Sequence, residues 1–185
     1  MEQFKAFDQR VEVSGGHLAA FVQAFPAGTA KIGIEILNSV GLGNPRPEAW
    51  YRLQTLLDVM KQLQQRFTGS ILTRMGYRVA QLVQLPPHWK SIEDALSELD
   101  KGYHMNHRGG EIGSYEYEYL ITETGLHRAK MIVRTHWPCE YELGLLQGVG
   151  DRYKPPESEI FVREDHTAPC RKTGGDFCTF LVTWT

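Results

Sequence analysis

Cysteine is scarce in this chain, with three among 185 residues. Three is an odd number, and a reducing compartment disfavours disulfides, so clustered thiols lean toward metal or redox work. A basic surplus is lacking too: 20 Lys and Arg stand against 22 Asp and Glu, for a net charge of -2. No cationic stripe can be drawn, so charge gives no support to nucleic-acid binding. Residues Met1 to Asp8 hold no long apolar run, which predicts neither a signal peptide nor a membrane span and a cytoplasmic address. Also missing are a G-x-S-x-G turn, a phosphate loop and a dinucleotide fingerprint; Gly41 and Gly43 lead into Asn44 and Pro45 and fit none of these. What remains is 42% apolar, within the range of a folded domain able to bury a sizeable core.

The first hundred residues read as helices. A short apolar run from His17 to Phe25 follows the Ser14–Gly16 breaker and stops at Pro26. A second run over 29–40 puts Ile32, Ile36, Leu37 and Val40 on one side. The clearest helix is expected from Pro47, a residue suited to a first turn. Ala49, Leu53, Leu56, Met60, Leu63 and Phe67 then recur in steps of four and three. That stripe is core packing or a dimer seam. Thr68 and Gly69 suggest a bend before a further helix through Ile71, Met75, Val79 and Leu82. Ser91 with Asp94 three residues on is a capping-box start.

Beyond residue 112 the hydrophobic period becomes two. Tyr115, Tyr117, Tyr119 and Ile121 share a strand face, and a turn at Thr124 and Gly125 returns the chain through Ala129, Met131 and Val133. Glu116 and Glu118 can face Arg128, Lys130 and Arg134 across that hairpin. A helix is expected from Pro138 to Gly150, then strands over 157–163 and 177–184. The fold class is therefore α+β: an N-terminal helical half (1–110) packed on a small four-stranded antiparallel sheet, with a helix between two β-hairpins (111–185), together one domain.

The chemistry-bearing residues are the thiols. Cys170 and Cys178 flank a Gly174–Asp176 turn, and Cys139 lies at a helix start, where the macrodipole favours a thiolate. Cys139, Cys170 and Cys178, with His166 as fourth ligand, are expected to hold a structural Zn2+; Asp165 or Glu164 could replace His166 with an oxygen. Ordinary buried cysteines are the plainer alternative.

Trp137 to Glu140 at a helix start, Gly144 and Gly148 along it, and Cys170, Gly174, Gly175, Asp176, Cys178 and Phe180 at the end resemble the 4-vinyl reductase (4VR) domain. The match covers about residues 112–184. That family has the NO-signalling and Golgi-transport ligand-binding fold, shared with haem-NO sensor domains, and is similar to the sensor domains of phenol-responsive bacterial activators. The activators hold a structural zinc through three cysteines and a glutamate; the glutamate's position here is Thr167. The resemblance implies a non-enzymatic sensor module, a homodimer, binding a small hydrophobic or aromatic ligand between sheet and helices and signalling to a separate effector protein. In the phenol sensors a histidine and a tryptophan reach the ligand hydroxyl. His104, His107 and Trp137 are candidates for that role, with Tyr115 and Tyr117 as pocket wall or core. The haem-propionate motif of the gas sensors is missing. Two other functions are carried forward: an accessory factor in tetrapyrrole biosynthesis, and a metal- or thiol-dependent enzyme.

Overall fold

The structure is a computed structural model that describes residues 2–67, 70–120 and 126–185. Two antiparallel sheets and seven α-helices are described, an α+β architecture. The larger sheet has four strands, β4 (Ser114–Leu120), β5 (His127–Arg134), β6 (Ile160–Glu164) and β7 (Cys178–Trp184), in the order β4-β5-β7-β6. The two-residue period sets its pairing: Tyr115 lies opposite Val133, Tyr117 opposite Met131 and Glu118 opposite Lys130, with which it forms an ion pair. Ala129, Met131 and Val133 are buried, while Tyr119 is 45% exposed, so the inward face fades toward the end of β4. The expected bends at Thr68–Gly69 and Thr124–Gly125, and the facing of Ile121, lie outside the described residues.

The smaller sheet has no counterpart in the sequence reading. Its strands β1 (Glu12–Ser14), β2 (Trp50–Arg52) and β3 (His107–Arg108) run in the order β2-β1-β3. It corrects the helix expected from Pro47: residues 50–52 pair with β1, and helix α3 begins only at Leu53 and ends at Arg66. Three residues are too few for a visible alternation, and the pairing is supplied by distant chain. Ser14 accepts the His17 N–H (3.1 Å) and so caps helix α1 (Gly15–Gln23) instead of breaking it. Helix α2 spans Ala30–Ser39, α5 Ile92–Ser97 and α6 Leu99–Met105, and the capping box at Ser91 and Asp94 has both reciprocal bonds.

Helix α7 (Cys139–Tyr153) packs along α4 (Ile71–Leu82), and the two run in the same direction. Their backbones nearly touch. A Cβ on Gly144 would lie 1.9 Å from the Thr73 carbonyl oxygen, and one on Gly76 2.1 Å from that of Tyr141. Arg152 on α7 donates to the Ala80 (2.9 Å) and Val83 (3.0 Å) carbonyls at the end of α4, satisfying acceptors that a helix terminus leaves open. On the sheet side, Gln147 acts as a strand surrogate for β6: it donates to the Ile160 carbonyl (3.1 Å) and accepts the Val162 N–H (3.2 Å). That occupies backbone groups an outer strand would otherwise present for pairing. Among the described residues no helix is long and apolar enough to cross a membrane.

Candidate ligand cavity and thiol cluster

Two sites flank α7. The first is a cavity of about 30 Å³ between α4, α6, α7 and β4, walled by Val83, Leu99, Leu145 and Val149 among others. Its polar lining comes from His17, Tyr103, Asn106, His107, Tyr115 and Trp137. Short β3 carries His107 inward, where its ring lies 4.1 Å from that of Tyr103 and 5.3 Å, edge-on, from Trp137. His17 stacks on Trp137 at 5.2 Å with planes 6° apart, and its Nε2 lies 3.2 Å from the Tyr141 hydroxyl.

Burial pushes the His107 imidazole well below its ordinary pKa and holds that of His17 down at about 4. Both rings are neutral at physiological pH. His107 Nδ1 lies 2.7 Å from the Tyr103 carbonyl oxygen, an acceptor, so Nδ1 carries the proton and donates. Nε2 is then a bare acceptor, buried and without a partner among the described residues, and the buried Trp137 Nε1–H is a donor without one there. An unpaired acceptor and an unpaired donor thus belong to two residues of one apolar cavity. Groups of this kind cost folding free energy unless something pairs with them.

Behind the cavity wall Tyr115 donates to both oxygens of Glu142 (2.7 and 2.9 Å), which also accepts from Thr135. Burial raises the Glu142 carboxyl to about 7. Arg171 donates to the carbonyls of Thr135 and Trp137 (3.1 Å) and of Glu2 (3.1 Å), clamping the segment that leads into α7.

The second site is at the first turn of α7. Cys139 Sγ lies 2.7 Å from Cys178 Sγ and 3.6 Å from Cys170 Sγ, and the Cys170–Cys178 separation is 3.7 Å. Cys170 donates to Glu164 (2.7 Å), and Gln3 donates to Cys139 (2.9 Å). The hydrogen bond between Cys139 and Cys178 pushes Cys178 down to about 6, and the same contact together with burial pushes Cys139 up. Cys139, Glu164, Cys170 and Cys178 bring donor atoms within 4.8 Å of one another, a set that could hold a metal ion.

Of the residues singled out in the sequence, the three cysteines are together, and His107, Tyr115 and Trp137 line the cavity. His166 is exposed and outside the thiol group; Glu164, at the end of β6, is its fourth member. His104 is exposed, its Nδ1 on the Asp100 carbonyl, and neither it nor Tyr117 lines the cavity. His17, Glu142 and Arg171 had not been singled out. A histidine in an apolar run and a glutamate on the apolar side of a helix were the available signals.

No family model matches the chain, and no curated protein matches it in sequence. Solved structures do share its fold. One is an H-NOX protein from S. oneidensis in the Fe(II) ligation state, 13% identical, covering 91% of this chain and 94% of its own, at a TM-score of 0.64. Another is an oxygen-binding H-NOX domain related to soluble guanylate cyclases, 13% identical, covering 93% and 94%, at 0.62. A third, from K. algicida, is an Fe(II) unliganded H-NOX mutant, 15% identical, covering 93% and 96%, at 0.61. The fold is that of an H-NOX domain.

This corrects two expectations. The resemblance to the 4VR domain is not upheld, because the structures sharing the fold are H-NOX domains and no family model matches. The structural Zn2+ is not upheld either: those H-NOX structures are described by iron and oxygen states.

Proposed function

We propose that this chain is a non-enzymatic small-molecule-binding module of the sensor type, whose ligand is small, largely apolar or aromatic, and carries one hydroxyl-like group. One observation carries the reading: His107 Nε2 and Trp137 Nε1 are a buried acceptor and a buried donor without partners among the described residues, on residues lining the same cavity. A hydroxyl donates one hydrogen and accepts another, so it matches both. The fold shared with oxygen-binding H-NOX domains is in keeping with a sensor.

Haem, which the description of another structure of this fold names, fits these residues poorly. A cavity that accepts benzene measures about 150 Å³, against about 30 Å³ here. One ring requires the lining to yield outward around half-buried Leu85. A macrocycle would require several times that room, and the lining holds no Lys or Arg to meet propionates. His107 Nε2 is a possible iron ligand by chemistry, but nothing else in the cavity is built for the group.

The test is titration with phenol, followed by tryptophan fluorescence, in the wild-type chain and in His107→Leu and Trp137→Phe. Saturable binding weakened about tenfold by each substitution supports the reading, since one hydrogen bond in a dry site is worth about 1.4 kcal/mol. Stoichiometric uptake of haem with a sharp Soret band, and no response to phenol, would sink it.

A further inference from the structure

On the side of α4 away from the cavity, two open clefts share Pro26 and Arg74 and so form one groove. One cleft is about 470 Å³, lined by Thr73, Arg74, Tyr77 and Arg78 of α4 and by Gly144 and Gln147 of α7. The other, about 310 Å³, continues past Thr29 and Ser70 to Arg66 at the end of α3. Both volumes fall in the range of small-ligand sites, about 300–1,000 Å³. The floor exists because Gly144 lets the two helix backbones meet without side chains between them.

The groove's charge is one-sided. Arg66, Arg74 and Arg78 line it, and among the described residues no Asp or Glu does, the nearest acid being Asp151 on the Tyr77 hydroxyl, in a chain whose net charge is -2. Arg10, Arg46, Arg108 and Arg134 each hold a carboxylate, whereas the three groove arginines have no carboxylate partner among the described residues. Arg74 and Arg78 are one helical turn apart, so their guanidinium groups rise on the same side of α4. Helix α4, 12 residues long, also starts with no side-chain cap and no acid in its first turn, leaving its positive end uncompensated beside Ser70. Guanidinium forks match phosphate oxygens in pairs, and Thr73 adds a hydroxyl to the lining, while the Tyr77 hydroxyl is held by Asp151.

We propose that this groove binds a phosphate group, borne by an organic ligand whose apolar part lies on the Pro26 and Gly144 floor. The site is separate from the His107 cavity and does not depend on what that cavity takes. The phosphate belongs either to a soluble ester or to a lipid headgroup, and the chemistry at the arginines is the same.

The full chain is titrated with inorganic pyrophosphate at low ionic strength and followed by backbone amide NMR. The same chain is sedimented with phosphatidylcholine vesicles with and without phosphatidic acid. Arg74→Gln and Arg78→Gln are measured in parallel; both positions are exposed, so both variants fold, as circular dichroism verifies. The expected result is a saturable shift of amides in 73–78 and 144–147, weakened about tenfold by either substitution and screened by salt. Retention on phosphatidic acid vesicles alone, lost in both variants, supports the proposal and assigns the phosphate to a headgroup. Absence of both responses overturns it, as does binding that the arginine substitutions leave unchanged.

Discussion

The two sites on α7 satisfy their polar atoms in opposite ways. At the first turn, three thiols, Glu164 and Gln3 pair among themselves, so the cluster is complete as it stands. In the cavity, His107 Nε2 and Trp137 Nε1 have no hydrogen-bond partner among the described residues. His107, Trp137, Cys139 and Cys178 are buried, while Cys170, Glu164 and Gln3 are half-buried. A self-satisfied cluster adds to stability, while an unsatisfied pair lowers it and persists where another molecule supplies the missing bonds. The cavity therefore carries the functional reading and the cluster the structural one.

The comparison breaks most completely if α7 is lifted off α4, because both sites hang on it. Gly144→Val forces a side chain into the Thr73 carbonyl. A loss of more than about 3 kcal/mol is expected, since neither backbone can retreat. In urea unfolding the cavity tryptophan signal and the thiol protection should disappear together. Separate transitions would mean that the sites do not share the helix as their support.

Glu142 sits between the two sites and gives the next largest effect. Its carboxyl is held at about 7 instead of 4.5, so the folded chain prefers it protonated. That stabilisation is complete below pH 4.5 and is lost as pH rises through about 7. His17 and His136 work in the other direction: burial holds both near 4, so their contribution is complete above 6.5 and is lost as pH falls toward 4. Stability should peak between these limbs. Glu142→Gln should flatten only the upper limb, gaining about 3 kcal/mol relative to wild type above pH 8. Equal slopes for the two chains in urea melts from pH 5 to 9 would remove Glu142 from this role.

The large sheet was legible because its strands are long enough to alternate, and the Ser91 capping box because it is local. The missed elements are short and depend on partners far away. Trp50–Arg52 is a strand only because Glu12–Ser14 lies beside it. The cysteines could be predicted to meet, but Glu164 instead of His166 follows from the direction in which β6 delivers its last residue. Arg171 looks like an ordinary loop cation in the sequence. Its burial among the Thr135, Trp137 and Glu2 carbonyls is a product of tertiary packing alone.

A pair of substitutions places the two sites on one scale. Cys178→Ala removes the hydrogen-bond partner of Cys139 and leaves a small void beside a buried thiol, which should cost about 2 kcal/mol. His107→Leu removes an acceptor that has no partner among the described residues together with the Nδ1–H bond to the Tyr103 carbonyl, so stability should fall by about 1 kcal/mol, one hydrogen bond's worth. Its effect should appear in phenol affinity. Chemical denaturation of both variants decides the matter: a larger loss for His107→Leu would show that its Nε2 is bonded within the fold and is not available to a ligand.

The smallest effect tests how the cluster is closed. Gln3 donates to Cys139 from the N-terminal segment, which is also held where Phe7 N–H donates to His136 Nδ1 (3.1 Å). Gln3→Ala leaves those other contacts in place, so the loss should be about 1 kcal/mol, one hydrogen bond's worth. The thiols should respond more than the stability does. Once the amide is gone, solvent gains a path to Cys139 and Cys178, and labelling by a thiol reagent should quicken by about the factor that 1 kcal/mol represents, roughly fivefold. Trp137 fluorescence should stay as it was, because the cavity polar atoms owe nothing to Gln3. If labelling were unchanged, the reagent would reach the cluster by another route, past Lys172 and Glu164 at its open side.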